Sequence, residues 1–466
     1  MNKHSRFKLK TGLIYGLVLA FSCTIILAGC SKADNTANTA SPQSSGSASS
    51  SAPSASPDKP KDPVTIDFWY EGSGPERTEL YEEIVKKWNA LHPEIIVKGT
   101  YLAIDTALEK LKVSIAGGVT PDIVTLQPSM LAELFMQDVF LPLDEKFNAW
   151  NESQFFIKDY LDVVRGADPE GRLLGVPQAA NMYGIWYRAD MYKDKGFASP
   201  GESWDTFFAD IEKLTDKSTN TYGHTIRGGS TSVIQVLNPL IAYVGLSEFF
   251  DADGKAQILR SPEAVAFINK YADVFKKGQA PQSSLTASFK EMASDFVSGV
   301  SMSYIHNLGS FETVGKSFQP DQYGLAMFPK SPSTGKYTGA QPTVKVNSIF
   351  KQSKHPEETW AFMEFLASNE SNLAINQLIG ELPVRQDTME SEWVQSAPHL
   401  KEVTPFLAAS DKLLVQVPNY LAEYNTITKT IGEPAFQAVL TGGMTAEAFL
   451  EKLATEFEKA YAAQVK

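Results

Sequence analysis

Between residues 64 and 126 two kinds of hydrophobic pattern alternate, and that alternation limits the fold more than any other feature of the chain. Val64-Thr65-Ile66-Asp67-Phe68-Trp69-Tyr70 is β-branched and aromatic, which predicts a strand. Leu80, Ile84, Trp88 and Leu91 then recur at helical spacing. Ile95-Ile96-Val97 predicts a second strand after His92-Pro93. Leu108, Leu111 and Ile115 predict a second helix, with Gly117-Gly118 able to supply a left-handed stop. Asp122-Ile123-Val124-Thr125-Leu126 predicts a third strand. A strand–helix–strand–helix–strand order implies an open, largely parallel sheet covered by helices, an α/β fold.

Later segments keep to the same grammar. Ser203 is placed to cap a helix carrying Phe207, Phe208, Ile211 and Leu214. Val265, Ile268, Ala272 and Phe275 line another, stopped by Gly278. Pro356 suits the first turn of a helix bearing Trp360, Met363 and Leu366. Leu450, Leu453, Phe457 and Tyr461 predict an amphipathic C-terminal helix. About 400 residues follow Pro63, too many for one hydrophobic core, so two lobes are expected. No short-period repeat is present, which excludes a solenoid.

Residues 1–29 have the anatomy of an export signal. Lys3, Arg6, Lys8 and Lys10 form a basic start, an apolar run extends from Leu13 to Ile26, and small residues Ala28-Gly29 follow. The run falls short of the ~20 apolar residues a membrane-spanning helix needs. Leu27-Ala28-Gly29-Cys30 resembles the lipobox of bacterial lipoproteins. That resemblance implies cleavage before Cys30 and a diacylglyceryl group on its sulfur, whose two chains suffice for stable membrane anchoring. From Ser31 to about Asp62 the chain is Ser, Ala, Thr, Asn and Pro with almost no bulky apolar residue, which predicts a flexible tether over residues 30–62.

Of the two cysteines, Cys23 lies in the signal and Cys30 at its end. The body of the chain therefore has no disulfide, thiol nucleophile or Cys-ligated metal. The formal charge is −12, and removing residues 1–29 takes away four basic and no acidic residues, giving −16. That balance excludes nucleic acid as a partner and adsorption on anionic lipid as the means of attachment.

A series of short segments resembles the maltose-binding-protein-like family (family 1) of extracellular solute-binding proteins of bacterial ABC transporters. In order they are Phe68-Trp69-Tyr70 with Glu71-Gly72-Ser73-Gly74, then Ala116-Gly117-Gly118 and Pro121-Asp122-Ile123-Val124, then Leu141-Pro142-Leu143-Asp144. Gly175-Val176-Pro177 leads into Gly184-Ile185-Trp186-Tyr187-Arg188-Ala189-Asp190, where Arg188-Ala189 depart from the family's Tyr-Asn-Lys-Asp. Pro200 through Trp204-Asp205, Phe296-Val297-Ser298-Gly299 with Met302, Lys354-His355-Pro356-Glu357 and Leu382-Pro383-Val384-Arg385 complete it. The resemblance implies a two-lobed periplasmic-binding-protein fold, each lobe a mainly parallel sheet flanked by helices, with a ligand cleft between. Residues 63–178 and 342–390 are expected to form the N-lobe, and 179–341 and 391–466 the C-lobe. It further implies a carbohydrate ligand, an ABC permease as partner, extracytoplasmic location through Cys30, a monomer, and neither cofactor nor metal.

A saccharide site needs aromatic rings against C–H faces and amides, carboxylates or guanidinium groups against hydroxyls. Strand ends and the loops after them gather such groups in open α/β sheets. Four loops qualify. Tyr70 and Glu71 follow the first strand, and Gln127 follows the third. Asn181 and Tyr183 precede the strand expected to open the second lobe, and the resembled family places a polar, sugar-contacting residue at the position of Asn181. His306 and Asn307 follow the Met302 strand. Gln341 and Tyr420 are additional candidates.

Two other functions remain open from the sequence. The same fold could bind a peptide or polyamine, although a cationic ligand calls for several cleft carboxylates and Glu71 is the evident one. A sugar-active hydrolase would need two carboxylates flanking the scissile bond, and the acidic residues fall mostly on amphipathic helices. Neither a Gly-x-Ser-x-Gly elbow nor a His-Glu-x-x-His motif is present, and the six histidines are dispersed. The chain is therefore not expected to be an enzyme. Asp251-Ala252-Asp253-Gly254 lacks the later glutamate of an EF-hand and is expected to form an Asp-Gly hairpin turn.

Overall fold

The strands predicted at 64–70, 95–97 and 122–126 are present in a computed structural model that describes residues 62–72, 75–104 and 106–464. The signal, Cys30 and nearly all of the tether lie outside the described residues. In chain order the described strands are β1 (Val64–Gly72), β2 (Ile95–Ala103), β3 (Ile123–Leu126), β4 (Val176–Asn181), β5 (Tyr183–Arg188), β6 (Ser303–Asn307), β7 (Tyr323–Ala326), β8 (Thr338–Ala340), β9 (Thr343–Ile349) and β10 (Leu413–Val415). Helices Pro75–Leu91 and Ala107–Ala116 connect β1 to β2 and β2 to β3.

The first sheet has the order β2-β1-β3-β9-β4. β1 pairs in parallel with β2 and β3, whereas β9 is inserted antiparallel between β3 and β4. The second sheet has the order β6-β5-β7, with β5 antiparallel to both neighbours. A parallel bridge from Thr225 to Tyr304 extends it beyond β6. Each of these two sheets thus contains strands of one direction plus a single reversed strand, while β8 and β10 pair in parallel as a separate two-stranded sheet. The two-lobed α/β fold is as expected, but every ladder of the second sheet is antiparallel because its reversed strand is the central one.

Strand alternation in the second sheet divides its side chains between two cores. Trp186, Tyr304 and Leu325 pack into a hydrophobic cluster shared with the first sheet. Their neighbours Ile185 and Ile305 pack into a second cluster with helices Trp204–Leu214, Ser232–Val244, Pro262–Lys276 and Ala446–Gln464. His399 stacks against Trp186 and Phe311, which brings the segment after residue 390 onto this sheet.

The local signals act where the sequence places them. Gly118 adopts φ +66° after the second helix, and Gly278 adopts φ +66° after helix Pro262–Lys276. Ser203 accepts a hydrogen bond from the Thr206 amide, and Pro356 opens helix Pro356–Leu366. Leu450, Leu453 and Phe457 are buried. Leu91 departs from expectation, being 59% exposed, because its helix outruns the core in its last turn. Asp251–Gly254 is not a hairpin turn between strands. It links helices Ser232–Val244 and Gln257–Arg260, and Asp251 accepts from the amides of Asp253 and Lys255. No group of His, Cys, Asp and Glu that could hold a metal occurs among the described residues, and no helix among them is long and apolar enough to cross a membrane.

Candidate functional site

The end of β1 carries Tyr70 and Glu71, and they part company. Tyr70 belongs to the core, which corrects the expectation that it faces a cleft. Its ring stacks on Tyr81 at 4.7 Å and tilts against Phe68 at 5.4 Å. The reason is alternation: Phe68 and Tyr70 share the face covered by helix Pro75–Leu91. Burial raises the pKa of the Tyr70 phenol.

Glu71 is buried, accepts a hydrogen bond from Gln127 Nε2, and lies 3.5 Å from Arg77 Nη1. Its Oε2 has no hydrogen-bond partner. Gln127 stands at the entrance of helix Pro128–Phe135 in extended conformation, where β3 delivers it beside β1. Arg77 also donates to Glu312 at 2.8 Å. That bond ties the first sheet to helix Phe311–Ser317, which follows β6.

The second sheet gathers the next three candidates. Tyr183 at the start of β5 is in register with Asn307 at the end of β6. The Tyr183 and His306 rings meet edge to face at 5.9 Å. Burial raises the Tyr183 pKa, with Arg227 and Asn307 acting in the opposite sense. His306 is stacked on Phe289 at 4.4 Å, its Nδ1 2.7 Å from Ser310 Oγ and its Nε2 3.5 Å from Arg227 Nη1. Burial, reinforced by Arg227, holds the His306 pKa well below the usual range. A neutral ring donating from Nδ1 to Ser310 and accepting at Nε2 satisfies both contacts. Asn307 Oδ1 accepts from the Gly309 amide at 3.1 Å.

Asn181 lies between these groups. Its Oδ1 accepts from the Leu308 amide at 2.9 Å, so part of its hydrogen-bonding capacity holds the end of β4 to the loop after β6. Gln341 and Tyr420 line a cavity with Pro128, Leu131, Thr343 and Val417. The Gln341 amide donates to Val415 at 2.7 Å, which fixes it in the ladder region of β8 and β10. Burial pushes the Tyr420 phenol up to about 12.

Three further residues belong to this constellation. Asn425 donates to the Ser129 carbonyl at 3.0 Å, so it meets the loop that carries Gln127, and its buried Oδ1 has no partner. Tyr424, next to it, is close enough to Tyr183 for the two phenols to raise the Tyr424 pKa beyond the effect of burial. Arg227 reaches His306 and Tyr183 from the segment before helix Ser232–Val244. None of the three sits in a motif, and only the fold brings them to Gln127 and Tyr183. Aromatic faces, amides, a carboxylate and a guanidinium converge here, a set suited to holding a polar solute with apolar faces.

Comparison with known proteins places the chain in a family and matches its fold. A binding protein of Brucella abortus (strain 2308) is 24% identical over 335 residues, covering 70% of this chain and 78% of the relative. The multiple sugar-binding protein of Streptococcus mutans is 23% identical over 331 residues, covering 66% of this chain and 72% of the relative. The fold matches an ABC transporter solute-binding protein from Thermotoga Lettingae TMO, solved bound with alpha-D-tagatose. The TM-score is 0.71 at 18% identity, over 85% of this chain and all of that one. The sequence pattern of the family described as bacterial extracellular solute-binding protein matches residues 83–402, and the chain belongs to that family.

Proposed function

We propose that this protein captures a carbohydrate, an oligosaccharide, between its two sheets and delivers it to the permease of an ABC importer. The observation that carries this reading is that three of the buried polar atoms without a protein partner belong to the candidate residues described above. Glu71 Oε2, Arg227 Nε and Asn425 Oδ1 are all of this kind. An unmade hydrogen bond at a buried atom costs about 1–3 kcal/mol, and solute hydroxyls would satisfy each of them. Tyr183, Tyr420 and Tyr424 supply faces for the sugar rings. The names of the Streptococcus mutans relative and the Thermotoga ligand support the same class.

In this reading residues 63–178 with 342–390 form one lobe and 179–341 with 391–466 the other. Solute shifts the population toward a closed form, and the closed form docks on the permease. The signal is removed and the mature chain is an extracytoplasmic monomer anchored to the cell membrane by lipid on Cys30. It performs no chemistry on its solute.

A thermal-shift screen against mono- and oligosaccharides, amino acids, peptides and polyamines, with product analysis, tests the proposal. A saccharide at 100 times its Kd should stabilise the native form by about 2.7 kcal/mol without turnover. Stabilisation by peptides or polyamines alone would overturn the solute class, and turnover would overturn the binding role. Cys30→Ala should release the protein from the membrane fraction, and retention there would sink the lipid anchor.

A further inference from the structure

Every described arginine except one pairs with a carboxylate. Arg77, Arg165, Arg172, Arg188, Arg260 and Arg385 each form at least one ion pair. Arg227 forms none among the described residues. Its Nε is buried with no hydrogen-bond partner, and among the described residues its one hydrogen-bond contact, 3.5 Å from Nη1, is to the neutral ring of His306. Glu433 and Glu291 are the carboxylates in its surroundings. Both are engaged elsewhere: Glu433 accepts from the Thr231 amide, and Glu291 caps a helix through Ser288. Arg227 is half-buried, and a guanidinium whose Nε is withdrawn from water without a direct ion pair carries a cost that a bound anion would offset.

The backbone around Arg227 is held rather than mobile. The Gly228 amide donates to Ser284 at 2.8 Å and the Gly229 amide to Ala287 at 3.0 Å, while Gln437 Nε2 donates to the Gly228 carbonyl at 2.9 Å. A Cβ on Gly228 would stand 2.4 Å from the Leu285 carbonyl oxygen, so only glycine permits this approach. Thr231 adopts φ +62°, a strained conformation for a β-branched residue. Strain of this kind persists where the surroundings over-determine it, and it gathers at ligand clamps. The segment therefore presents a preorganised, unpaired guanidinium beside Tyr183 and His306, within the group of residues assigned above to the solute.

We propose that the solute carries an oxyanion, making it an acidic saccharide, and that Arg227 selects it by a charge-assisted hydrogen bond. The inference rests on the carbohydrate reading of this site and narrows it. A carboxylate of a uronic acid and a phosphate or sulfate ester offer the same acceptor geometry to a guanidinium.

The test is calorimetry on the full-length protein in detergent with matched saccharide pairs. Galactose and glucose oligosaccharides would be compared with their uronic acid counterparts, and hexoses with hexose phosphates and sulfates. The acidic member of one pair should bind at least about tenfold more tightly, the order expected of one hydrogen bond to a charged group. The pair that shows the preference distinguishes carboxylate from ester. In Arg227→Gln the preference should vanish, and in Arg227→Lys a reduced preference should remain. Equal or tighter binding of the neutral members by the unaltered protein would overturn this inference and leave the carbohydrate reading intact. An unchanged preference in Arg227→Gln would also overturn it. Binding of no saccharide of either kind would remove both. The comparison on the unaltered protein decides even if a variant fails to fold.

Discussion

Lys345 lies in the middle of β9, the reversed strand of the first sheet, and its ammonium is 2.6 Å from Glu381 Oε1. Both side chains are almost fully enclosed, at 7% and 2% exposed. Glu381 Oε2 has no hydrogen-bond partner, so the lysine carries much of the compensation for that carboxylate. Lys345→Met keeps the apolar stem and removes the charge. Breaking one side of a buried pair costs about 3–5 kcal/mol, because the remaining charge stays desolvated. Unfolding entropy of ~2.1 cal/mol/K per residue over about 400 residues turns that loss into a Tm drop of about 4–6 °C. Lys345→Met/Glu381→Leu should recover to within about 1 kcal/mol of the unaltered protein, since an apolar pair needs no compensation. Lys158→Met, which breaks an exposed ion pair to Asp162, should move Tm by less than about 1 °C. Thermal and urea unfolding followed by tryptophan fluorescence at pH 7 would measure all three. A Tm drop below about 1 °C for Lys345→Met would refute the reasoning, as would a double variant no more stable than the single one.

Two further outcomes are expected. Burial lowers the pKa of His224 and of His399 to about 3, so both stay neutral in the native state while the unfolded chain protonates them below ~6.5. Their contribution is complete above pH 6.5 and is lost as pH falls toward 3. At pH 5 the loss is roughly 2 kcal/mol per histidine, visible in urea midpoints at pH 7.5 and 5.0, and a midpoint that does not fall would contradict it. Gly380 has φ +69° and a Cβ there would stand 2.2 Å from Phe311 Cβ, whereas Gly118 has φ +66° with nothing within 4 Å. Gly380→Ala should therefore cost about 2–4 kcal/mol and Gly118→Ala about 1–2 kcal/mol, and equal losses would show that the contact with Phe311 is not limiting.

The candidate site was legible in proportion to how local its causes are. Glu71, Gln127, Tyr183 and Asn307 stand at strand ends, and a strand end can be found from alternation and the turn that follows it. Tyr70 stands at the same strand end and lies in the core instead, because which face of β1 a helix covers is a long-range matter. Arg227, Tyr424 and Asn425 carry no local signal. Arg227 reaches His306 across a sequence separation of 79 residues, and Asn425 reaches Ser129 across 296.

The sequence by itself determined the α/β class, the helix stops at Gly118 and Gly278, the cap at Ser203, the helix start at Pro356, and the resemblance that gave the family. Each rests on interactions within a few residues, or on segment order, and both survive in a linear string. Tertiary structure alone decided that β9 returns between β3 and β4, and that β5 is the central strand of the second sheet. It alone divided Trp186 and Ile185 between two cores and left Arg227 without an ion pair among the described residues. Those outcomes depend on which distant surfaces exclude water together, and burial and charge compensation are settled only when the chain has closed on itself.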